Sequence, residues 1–371
     1  MSEIRSLEAP DIPAIAGMFQ RVFRNDKTPP PTTLTDYMRE LYLDAPGCDP
    51  EIRPLVHVNA EGRISGFVGV NVLPMTLDGR QLRAAICGSL MVEDRETDPM
   101  AGARLLKAFL AGPQDLSFSE TASEVSTQMW TRLRGIVLPQ YSLDWVRVIR
   151  PATFALSVAS NRIKLARLAN PLAHGLDRVH RKRMARGQQR WSAVPDSGTS
   201  QANYTVTDID KAAFANLLPS LTAQFPLRPN WAEEQLAHIL HDAVQKPDQG
   251  DAIFASVAAR TGAIVGAFVY YARSGGIGRV LQILALPGQA GPVIDGLIDH
   301  AAARGVAGLR GRTQPALLEA MLGRRIAFVH VASTVVHARD AGILQAFRNS
   351  QAFLNGLAGE HWSRLIGGHF D

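Results

Sequence analysis

One pattern in this sequence recurs about 200 residues after its first occurrence. Residues 61–68 and 261–268 each place two glycines between runs of apolar and β-branched residues. Three positions match at constant spacing: Gly62 with Gly262, Ile64 with Ile264, and Gly66 with Gly266. The first glycine of each pair suits a tight hairpin turn that needs positive φ, and the second suits a bulge or a close backbone approach in the next strand. The sequence therefore predicts two copies of one unit.

Each copy is predicted to begin with a helix. Asp11 can cap a helix whose apolar residues between 12 and 23 share one face, and Asp208 or Asp210 can cap a counterpart through 214–221. The first copy then predicts a helix near 35–43, strands at 55–60, 63–73 and 82–93, a helix near 99–111, a strand around 115–119, a helix near 122–134 and a strand at 141–150. This order implies an α+β (mixed α/β) unit, with a mixed, largely antiparallel sheet and helices on both faces.

The length of 371 residues agrees with two such units, because cores tend to divide beyond about 250–300 residues. We place an N-terminal domain at 1–150, a connector at 151–200 and a C-terminal domain at 201–371. The connector ends in Val194-Pro195-Asp196-Ser197-Gly198-Thr199-Ser200-Gln201, where turn-forming residues crowd together as they do in linkers.

The connector also carries the positive charge of the chain. Residues 158–191 contain nine Lys or Arg and one acidic residue, whereas outside them acidic residues outnumber basic ones by three. The two domains are therefore not expected to present a basic DNA-binding surface. A solvated helix face is the simplest interpretation of the connector. The alternatives are a site for the phosphates of a ligand, an acidic carrier protein, an anionic lipid surface or tRNA.

Two cysteines cannot form a secretory disulfide framework or a multi-cysteine zinc site. The N-terminus lacks the basic and apolar regions of a signal peptide, and the longest apolar run, 263–272, is shorter than the roughly 20 residues that span a bilayer. We expect a cytoplasmic protein without a membrane span. Glu234, His238 and His241 share a helix face, which we interpret as polar surface, and we expect no metal cofactor.

The segment 87–106 is the most informative for function. An apolar strand leads through a short turn into a helix that begins with small residues. The unpaired N–H groups and positive dipole of a helix N-terminus attract anions, and small residues let a phosphate approach the backbone. The segment therefore predicts an anion-binding turn.

This segment resembles the GNAT superfamily of acyl-CoA-dependent N-acyltransferases. Leu90, Val92, Gly102, Leu105 and Leu106 fall at the offsets of the GNAT pattern, Leu-x-Val, then Arg/Gln-x-x-Gly-x-Gly/Ala, then a helix with Leu-Leu. The order of elements over residues 1–150 is also similar to the family, and the second copy resembles a more diverged GNAT unit, as in tandem-GNAT proteins.

The resemblance implies a transfer reaction with acetyl-CoA or another acyl-CoA as co-substrate. It implies that the pantetheine arm lies along the strand ending at Val92 and that an N–H near Met91 or Val92 polarises the thioester carbonyl. The acceptor would be an amine on a small molecule or a peptide, held in the cleft between the domains. The expected coenzyme-binding residues are Met91, Val92, Arg95, Ala101, Gly102, Ala103 and Arg104.

The reaction needs a base for the ammonium and an acid for the leaving thiolate. Many relatives place a tyrosine on the fourth helix, where this sequence has Trp130, so we expect Tyr141 on the next strand to be the acid. Glu93 and Glu120 end the two strands that would flank the thioester, and we expect them to be the bases.

Two alternatives remain open. Thr97 and Met100 replace the first Arg/Gln and the first glycine of the family pattern. These departures, together with the missing helix tyrosine, suit a catalytically inactive GNAT fold that binds a ligand or a partner. The basic connector suits a tRNA-dependent aminoacyl transferase of tandem-GNAT type.

Overall fold

A computed structural model describes residues 2–93, 96–160 and 203–371. The strands are β1 (Glu3–Ser6), β2 (Leu55–Val58), β3 (Ile64–Leu77), β4 (Arg80–Val92), β5 (Leu116–Ala122), β6 (Ile136–Val137), β7 (Leu143–Val148), β8 (Tyr204–Asp208), β9 (Leu227–Pro229), β10 (Asp251–Ala259), β11 (Ile264–Ala272), β12 (Ile277–Ala285), β13 (Gly308–Arg312), β14 (Ala327–His330) and β15 (Ser333–Ala338). The helices are α1 (Ile12–Phe19), α2 (Thr32–Arg39), α3 (Ala101–Leu110), α4 (Glu124–Arg132), α5 (Pro139–Ser142), α6 (Pro151–Ser160), α7 (Lys211–Thr222), α8 (Glu233–Val244), α9 (Ala290–Ala303), α10 (Pro315–Leu322) and α11 (Ala341–Arg348).

The strands form two mixed sheets. The first has the order β1-β2-β3-β4-β5-β15-β6, with β9 on the far end of β3, and its parallel neighbours are β4 and β5. The second has the order β14-β7-β13-β12-β11-β10-β8, and its parallel neighbours are β12 and β13. The other strand pairings of both sheets are antiparallel. The predicted fold class is confirmed.

The last strands of the two copies are exchanged between the sheets. β7 is the last strand of the first copy but lies between β13 and β14 of the second sheet, and β15 of the second copy lies between β5 and β6 of the first. Each sheet therefore needs a strand from the other half of the chain. The predicted division of the chain into domains at 1–150 and 201–371 stays a prediction.

The repeated glycines occupy equivalent places. Gly62 and Gly262 turn their hairpins with φ of 75° and 85°. A Cβ on Gly66 would lie 2.9 Å from Leu105 Cδ1, and one on Gly266 would lie 2.3 Å from Val293 Cγ2. Because Leu105 belongs to α3 and Val293 to α9, these two helices approach equivalent strands at equivalent points.

The two predicted helix caps differ. Asp210 caps α7, since its Oδ1 accepts a hydrogen bond of 2.7 Å from the N–H of Ala213. Asp11 stands at the start of α1 but does not cap it through its side chain. Its carboxylate binds the guanidinium of Arg5 and the N–H of Glu8 instead, so the predicted cap at Asp11 is wrong.

Buried side chains cover both faces of each sheet. Leu105 of α3 and Trp130 of α4 pack on the outer face of the first sheet, and Val293 of α9 packs on that of the second. The inner faces share one cluster, in which Phe118 and Leu284 come from different sheets. The two halves therefore meet through buried apolar surface, which also includes residues after α11.

The basic connector falls almost entirely outside the described residues. Its first ten residues form α6, and residues 161–202 are not described. The predictions of phosphate, carrier-protein or tRNA binding there stay predictions. Among the residues described, no helix has both the length and the apolar composition needed to cross a membrane.

Candidate functional site

The parallel strands β4 and β5 separate part of the way along their length. Their pairing runs from Ala84 with Leu116 to Ile86 with Phe118 and then stops. Both strands continue, β4 to Val92 and β5 to Ala122. We call the region between residues 87–92 and 119–122 the β4–β5 gap. Backbone groups that face such a gap are available to a ligand or to another part of the chain.

A β-bulge lies on the β4 side of this gap. Met91 pairs with Phe67 and Gly88 pairs with Gly69, so Ser89 and Leu90 together stand opposite one residue of β3. Ser89 has a φ of 52°, in the left-handed region. A bulge of this kind re-aims backbone groups and is common next to functional sites.

The chain after α11, residues 349–371, runs past the ends of both parallel strand pairs, and we call it the C-terminal segment. At the second sheet, the N–H of Leu357 donates to Oε1 of Gln282 at 3.1 Å. At the first sheet, Glu360 and His361 reach the β5 side of the β4–β5 gap. An ideal Cβ on Gly88, across the gap on β4, would lie 3.7 Å from Oε2 of Glu360.

Glu120 and Glu360 form a buried carboxylate pair in the β4–β5 gap. Oε1 of Glu360 accepts from the N–H of Glu120 and from Oγ of Ser119, both at 2.8 Å, and its Oε2 accepts from Oγ1 of Thr121 at 2.9 Å. Oε1 of Glu120 accepts from the N–H of Glu360 at 2.6 Å and contacts Nδ1 of His361 at 2.5 Å. Within the described residues, Oε2 of Glu120 is buried without a hydrogen-bond partner.

The two carboxylates differ in pKa. Burial raises the pKa of Glu120, but His361, Arg312 and the N–H of Glu360 lower it by more, so it lies below its usual range. Burial and then repulsion from Glu120 raise the pKa of Glu360 to about 7, although hydrogen bonds from Glu120, Ser119 and Thr121 oppose this. At neutral pH the pair therefore combines an ionised carboxylate with one that exchanges a proton.

Tyr42 lies beside the bulge. Its hydroxyl fills the space next to Gly69, where an added Cβ would lie 2.4 Å from the oxygen. Burial raises the pKa of Tyr42 well above its usual value, a hydrogen bond with Ser89 lowers it, and the charge of Glu360 raises it further. Tyr42 therefore keeps its proton at neutral pH, next to the bulge and within the electrostatic influence of Glu360.

The predicted coenzyme residues lie along β4 and the start of α3. Met91 is buried and pairs with Phe67, and Val92 pairs with Gly66. Ala101, Gly102, Ala103 and Arg104 form the first turn of α3, which no side chain caps within the described residues. Arg95 lies outside the described residues.

Asp98 precedes α3 but does not cap the helix through its side chain. Its carboxylate binds the guanidinium of Arg104 and lies 3.5 Å from Nε2 of His57. The Arg104 guanidinium also lies 3.0 Å from that His57 nitrogen. Arg104 is thus held beside the first turn of α3 by two partners, and its role in binding a phosphate stays a prediction.

Of the predicted catalytic residues, Glu120 is the one in the carboxylate pair. Glu93 accepts a hydrogen bond of 2.5 Å from Nε of Arg21 at the end of β4. Tyr141 lies in the short helix α5, so its predicted place on a strand is wrong, since β7 begins at Leu143. It is fully buried, and its hydroxyl donates to the carbonyl of Ala352 at 2.9 Å. No hydrogen bond or ion pair in the described part of the chain joins either residue to Glu120. Their catalytic roles stay predictions.

The sequence interpretation missed Tyr42, Glu360 and His361. Glu360 and His361 lie about 240 residues after Glu120 in the chain, yet both form hydrogen bonds with it. No spacing rule connects residues so far apart, and the repeat offers no guide because the C-terminal segment follows the second copy. Tyr42 sits in an ordinary amphipathic helical pattern that only predicts burial.

His238 and His241 do not form a metal site with Glu234. His238 lies 3.7 Å from Glu40 and 3.9 Å from Asp242, and His241 contacts Gln245. No cluster of three or more His, Cys, Asp or Glu side chains suited to a metal ion occurs in residues 2–93, 96–160 and 203–371.

No protein-family model and no curated protein matches this sequence. The structure, in contrast, is similar to solved structures over nearly its whole length. A conserved protein of unknown function from Enterococcus faecalis V583, described as a probable N-acyltransferase, aligns with a TM-score of 0.57 and 10% identity, over 94% of this chain and 74% of that one. A GCN5-related N-acetyltransferase from Anabaena variabilis ATCC 29413 has a TM-score of 0.57 and 9% identity, over 92% and 74%. Eis1 from Mycobacterium abscessus has a TM-score of 0.50 and 14% identity, over 93% and 76%.

Similarity at these identities concerns the fold. The chain has the fold of the GCN5-related N-acetyltransferases, as the resemblance of residues 87–106 predicts. It carries two GNAT-like units whose sheets exchange their last strands.

Proposed function

We propose that this chain is an N-acyltransferase that moves an acyl group, with acetyl the expected one, from coenzyme A to an amine at the β4–β5 gap. The carboxylate pair Glu120–Glu360 carries the proposal. In this fold it lies where two parallel strands separate, beside a β-bulge. A base works best when its pKa is near the working pH, and burial brings the pKa of Glu360 to about 7.

The carboxylate pair supplies the base in this proposal. Glu360 takes a proton from the acceptor ammonium, and the free amine then attacks the thioester carbon. The ionised Glu120 attracts the ammonium before the transfer, and its buried Oε2, which has no partner among the described residues, is available for a hydrogen bond from it. Glu120 thus keeps its predicted place at the site, with Glu360 added as the group that moves the proton.

The bulge and Tyr42 serve the leaving group. An N–H at the bulge, between Ser89 and Val92, polarises the thioester carbonyl and stabilises the oxyanion that forms. The carbon–sulfur bond then breaks, and the thiolate takes a proton from the hydroxyl of Tyr42. The attacking nitrogen loses its second proton as the amide forms, and this proton restores the Tyr42 hydroxyl. The position of Tyr42 supports this role, because its hydroxyl lies against Gly69, beside the bulge.

The first turn of α3 supplies the coenzyme site. Its N–H groups and the small residues Gly102 and Ala103 suit a pyrophosphate, and the guanidinium of Arg104 stands beside them. The pantetheine arm would then follow β4 past Val92 and Met91 toward the bulge. Val92 supports this path, because it lies within 3.4 Å of a Cβ built on Gly102 and so links the end of β4 to the helix.

Calorimetric titration with acetyl-CoA, followed by a thiol-release assay with a panel of amines, tests the proposal. We expect the wild-type chain to bind the coenzyme and release thiol. Gly102→Asp should abolish binding, because a carboxylate would replace the phosphate at the helix start. Gly323→Asp, at a glycine where an added Cβ would meet no atom within 4 Å, is the matched control and should bind normally.

The same assays distinguish the alternatives. Binding without thiol release from any amine would contradict transfer and favour the inactive, ligand-binding GNAT fold. Strongly salt-dependent binding of tRNA would favour the aminoacyl transferase. A flat titration with the intact coenzyme would refute the acyl-CoA site altogether.

A further inference from the structure

Three arginines gather on the inner face of the second sheet. Arg279 of β12 and Arg310 of β13 stand directly opposite each other in the parallel register, and Arg312 follows two residues after Arg310. Side chains two residues apart on a strand share one face. Like charges opposite each other across two strands destabilise a sheet, so this arrangement is costly unless an anion offsets it.

One carboxylate of the protein offsets part of the charge. Asp144 of β7 accepts from Nε of Arg310 at 2.8 Å and from Nη1 of Arg312 at 3.2 Å. Arg279 makes no hydrogen bond or ion pair with any residue that the structure describes. Burial and the neighbouring charge of Arg310 lower the pKa of Arg279, because both make the charged guanidinium less favourable at this position. Two of the three cations therefore share Asp144, and Arg279 has no direct anionic partner in the described chain.

The three arginines line a narrow pocket between the second sheet and the C-terminal segment. Asp144, Tyr271 and His361 complete its polar lining. The pocket reaches solvent at Arg310, whose side chain is 39% exposed. The side chain of Arg312 is only 7% exposed.

The pocket is joined to the carboxylate pair. His361 lines it, and Nδ1 of the same histidine lies 2.5 Å from Oε1 of Glu120. Arg312 also donates to the backbone carbonyl of Glu120 at 2.6 Å. A ligand with its anionic group among the arginines would therefore have its other end near the groups to which we assign proton transfer.

We propose that this arginine pocket binds the anionic group, a carboxylate or a phosphate, of the amine acceptor. Guanidinium groups bind both oxyanions through paired hydrogen bonds, and such charge-assisted bonds are strong. The identity of the ligand as the acceptor rests on the proposed acyl transfer, whereas the binding of an anion by Arg279, Arg310 and Arg312 does not.

Thermal unfolding of the full chain tests anion binding without any reaction. We expect sodium acetate or inorganic phosphate to raise the Tm saturably at constant ionic strength, relative to chloride. Arg279→Gln should abolish the rise from the effective anion. It should also unfold at a higher temperature than wild type in chloride, since it removes a buried cation from beside another. Arg260→Gln, at an exposed arginine, is the control and should retain the rise.

Phosphate can also bind at the start of α3, so the effect of Arg279→Gln decides where it binds. A rise that persists unchanged in Arg279→Gln would overturn the proposal, as would the lack of any saturable rise in wild type. A lower Tm of Arg279→Gln in chloride would show that Arg279 has a structural role and would likewise overturn it.

Matched amines then identify the acceptor group. Glycine against glycinamide tests a carboxylate, and phosphoethanolamine against ethanolamine tests a phosphate. We expect kcat/KM to favour the anionic member of one pair by about 10-fold or more. Arg279→Gln should reduce that preference to near unity, and Arg260→Gln should retain it. Equal kcat/KM within both pairs would refute the acceptor assignment and leave acyl transfer standing, whereas anion binding without transfer to any amine would refute acyl transfer alone.

Discussion

The backbone N–H of Glu120 donates to Oε1 of Glu360 at 2.8 Å, and the backbone N–H of Glu360 donates to Oε1 of Glu120 at 2.6 Å. Each carboxylate thus accepts a hydrogen bond from the main chain of the other residue, on the β5 side of the β4–β5 gap, where β5 no longer pairs with β4. The carboxylate pair exists only while the C-terminal segment is docked. Stability of that docking and chemistry at the site are therefore coupled.

Glu360 should make the protein less stable as the pH rises toward neutral. Its folded-state pKa of about 7 lies above its usual 4.5, so the folded chain keeps a proton that the unfolded chain releases between these values. The resulting stabilisation is complete below pH 4.5 and is lost as the pH rises through 7. We expect Glu360→Gln to reduce the loss in the free energy of unfolding over this interval by about 2 kcal/mol in urea titrations. Glu124→Gln, at an exposed carboxylate, should keep the full loss, and an unaltered profile in Glu360→Gln would contradict the buried titration.

Lys246 should make the protein more stable as the pH rises above neutral, the opposite of the effect of Glu360. Burial and then the charge of Arg279 lower its pKa to about 7 from 10.5. Between these values the unfolded chain binds a proton that the folded chain has released, so the free energy of unfolding rises with pH. Lys246→Met should flatten this rise in urea titrations. It should also lower stability at every pH, because the carbonyls of His361 and Ile366 lose their donor. Lys107→Met, on the exposed face of α3, should leave the slope intact.

Gly359 is required by the carboxylate pair. Its φ of −124° is accessible to any residue, but an added Cβ would lie 2.3 Å from Oε1 of Glu120. We expect Gly359→Ala to lower the free energy of unfolding by about 1–3 kcal/mol, because Glu120 or the C-terminal segment must move. Gly323→Ala, where a Cβ meets no atom within 4 Å, should cost far less. Equal effects of the two substitutions would argue against tight docking at Gly359.

Alanine substitutions at the repeated glycines Gly66 and Gly266 should lower the free energy of unfolding by different amounts. A Cβ on Gly66 would lie 2.9 Å from the flexible end of Leu105, whereas one on Gly266 would lie 2.5 Å from the backbone carbonyl of Leu284 as well as against Val293. Both alanine substitutions should destabilise the protein by about 1–3 kcal/mol, with Gly266→Ala the more costly. Urea unfolding measures both. Gly102→Ala, whose nearest contact of 3.4 Å is ordinary, is the control, and the reverse order of costs would contradict this packing.

Two phenylalanine substitutions distinguish Tyr42 from Tyr141 as the proton donor to the thiolate. Under the proposed acyl transfer, Tyr42→Phe should lower kcat by about 10²-fold or more in the thiol-release assay, since the leaving thiolate loses its proton donor. Tyr141→Phe removes the hydrogen bond to the carbonyl of Ala352 and should act on stability instead. A large loss of kcat in Tyr141→Phe alone would restore the residue that the sequence predicts.

The sequence predicts the secondary structure well where the signal is local. The longer helices and strands of the first copy, the hairpin glycines Gly62 and Gly262 and the cap at Asp210 follow from residues that contact their near neighbours in the chain. The sequence does not predict the short elements β1, β6 and α5, and the predicted start of each copy with a helix is wrong, because β1 and β8 come first. The cap predicted at Asp11 failed because a competing partner, Arg5, binds the same carboxylate. Among the residues of the proposed site, the sequence pointed to Glu120 from its place near the end of a strand. It did not point to Tyr42, Glu360 or the arginine pocket.

The sequence alone determined the duplicated α+β unit, since hydrophobic periodicity and glycine placement act over a few residues and survive in each copy. Tertiary structure alone decided that β7 and β15 change sheets and that the C-terminal segment reaches both sheets. It thereby set Glu360 against Glu120 and Arg279 opposite Arg310. Such pairings depend on which strand edges remain free after the rest of the sheet has formed, and on the burial that follows. The spacing of residues along the chain predicts neither the free strand edges nor the burial.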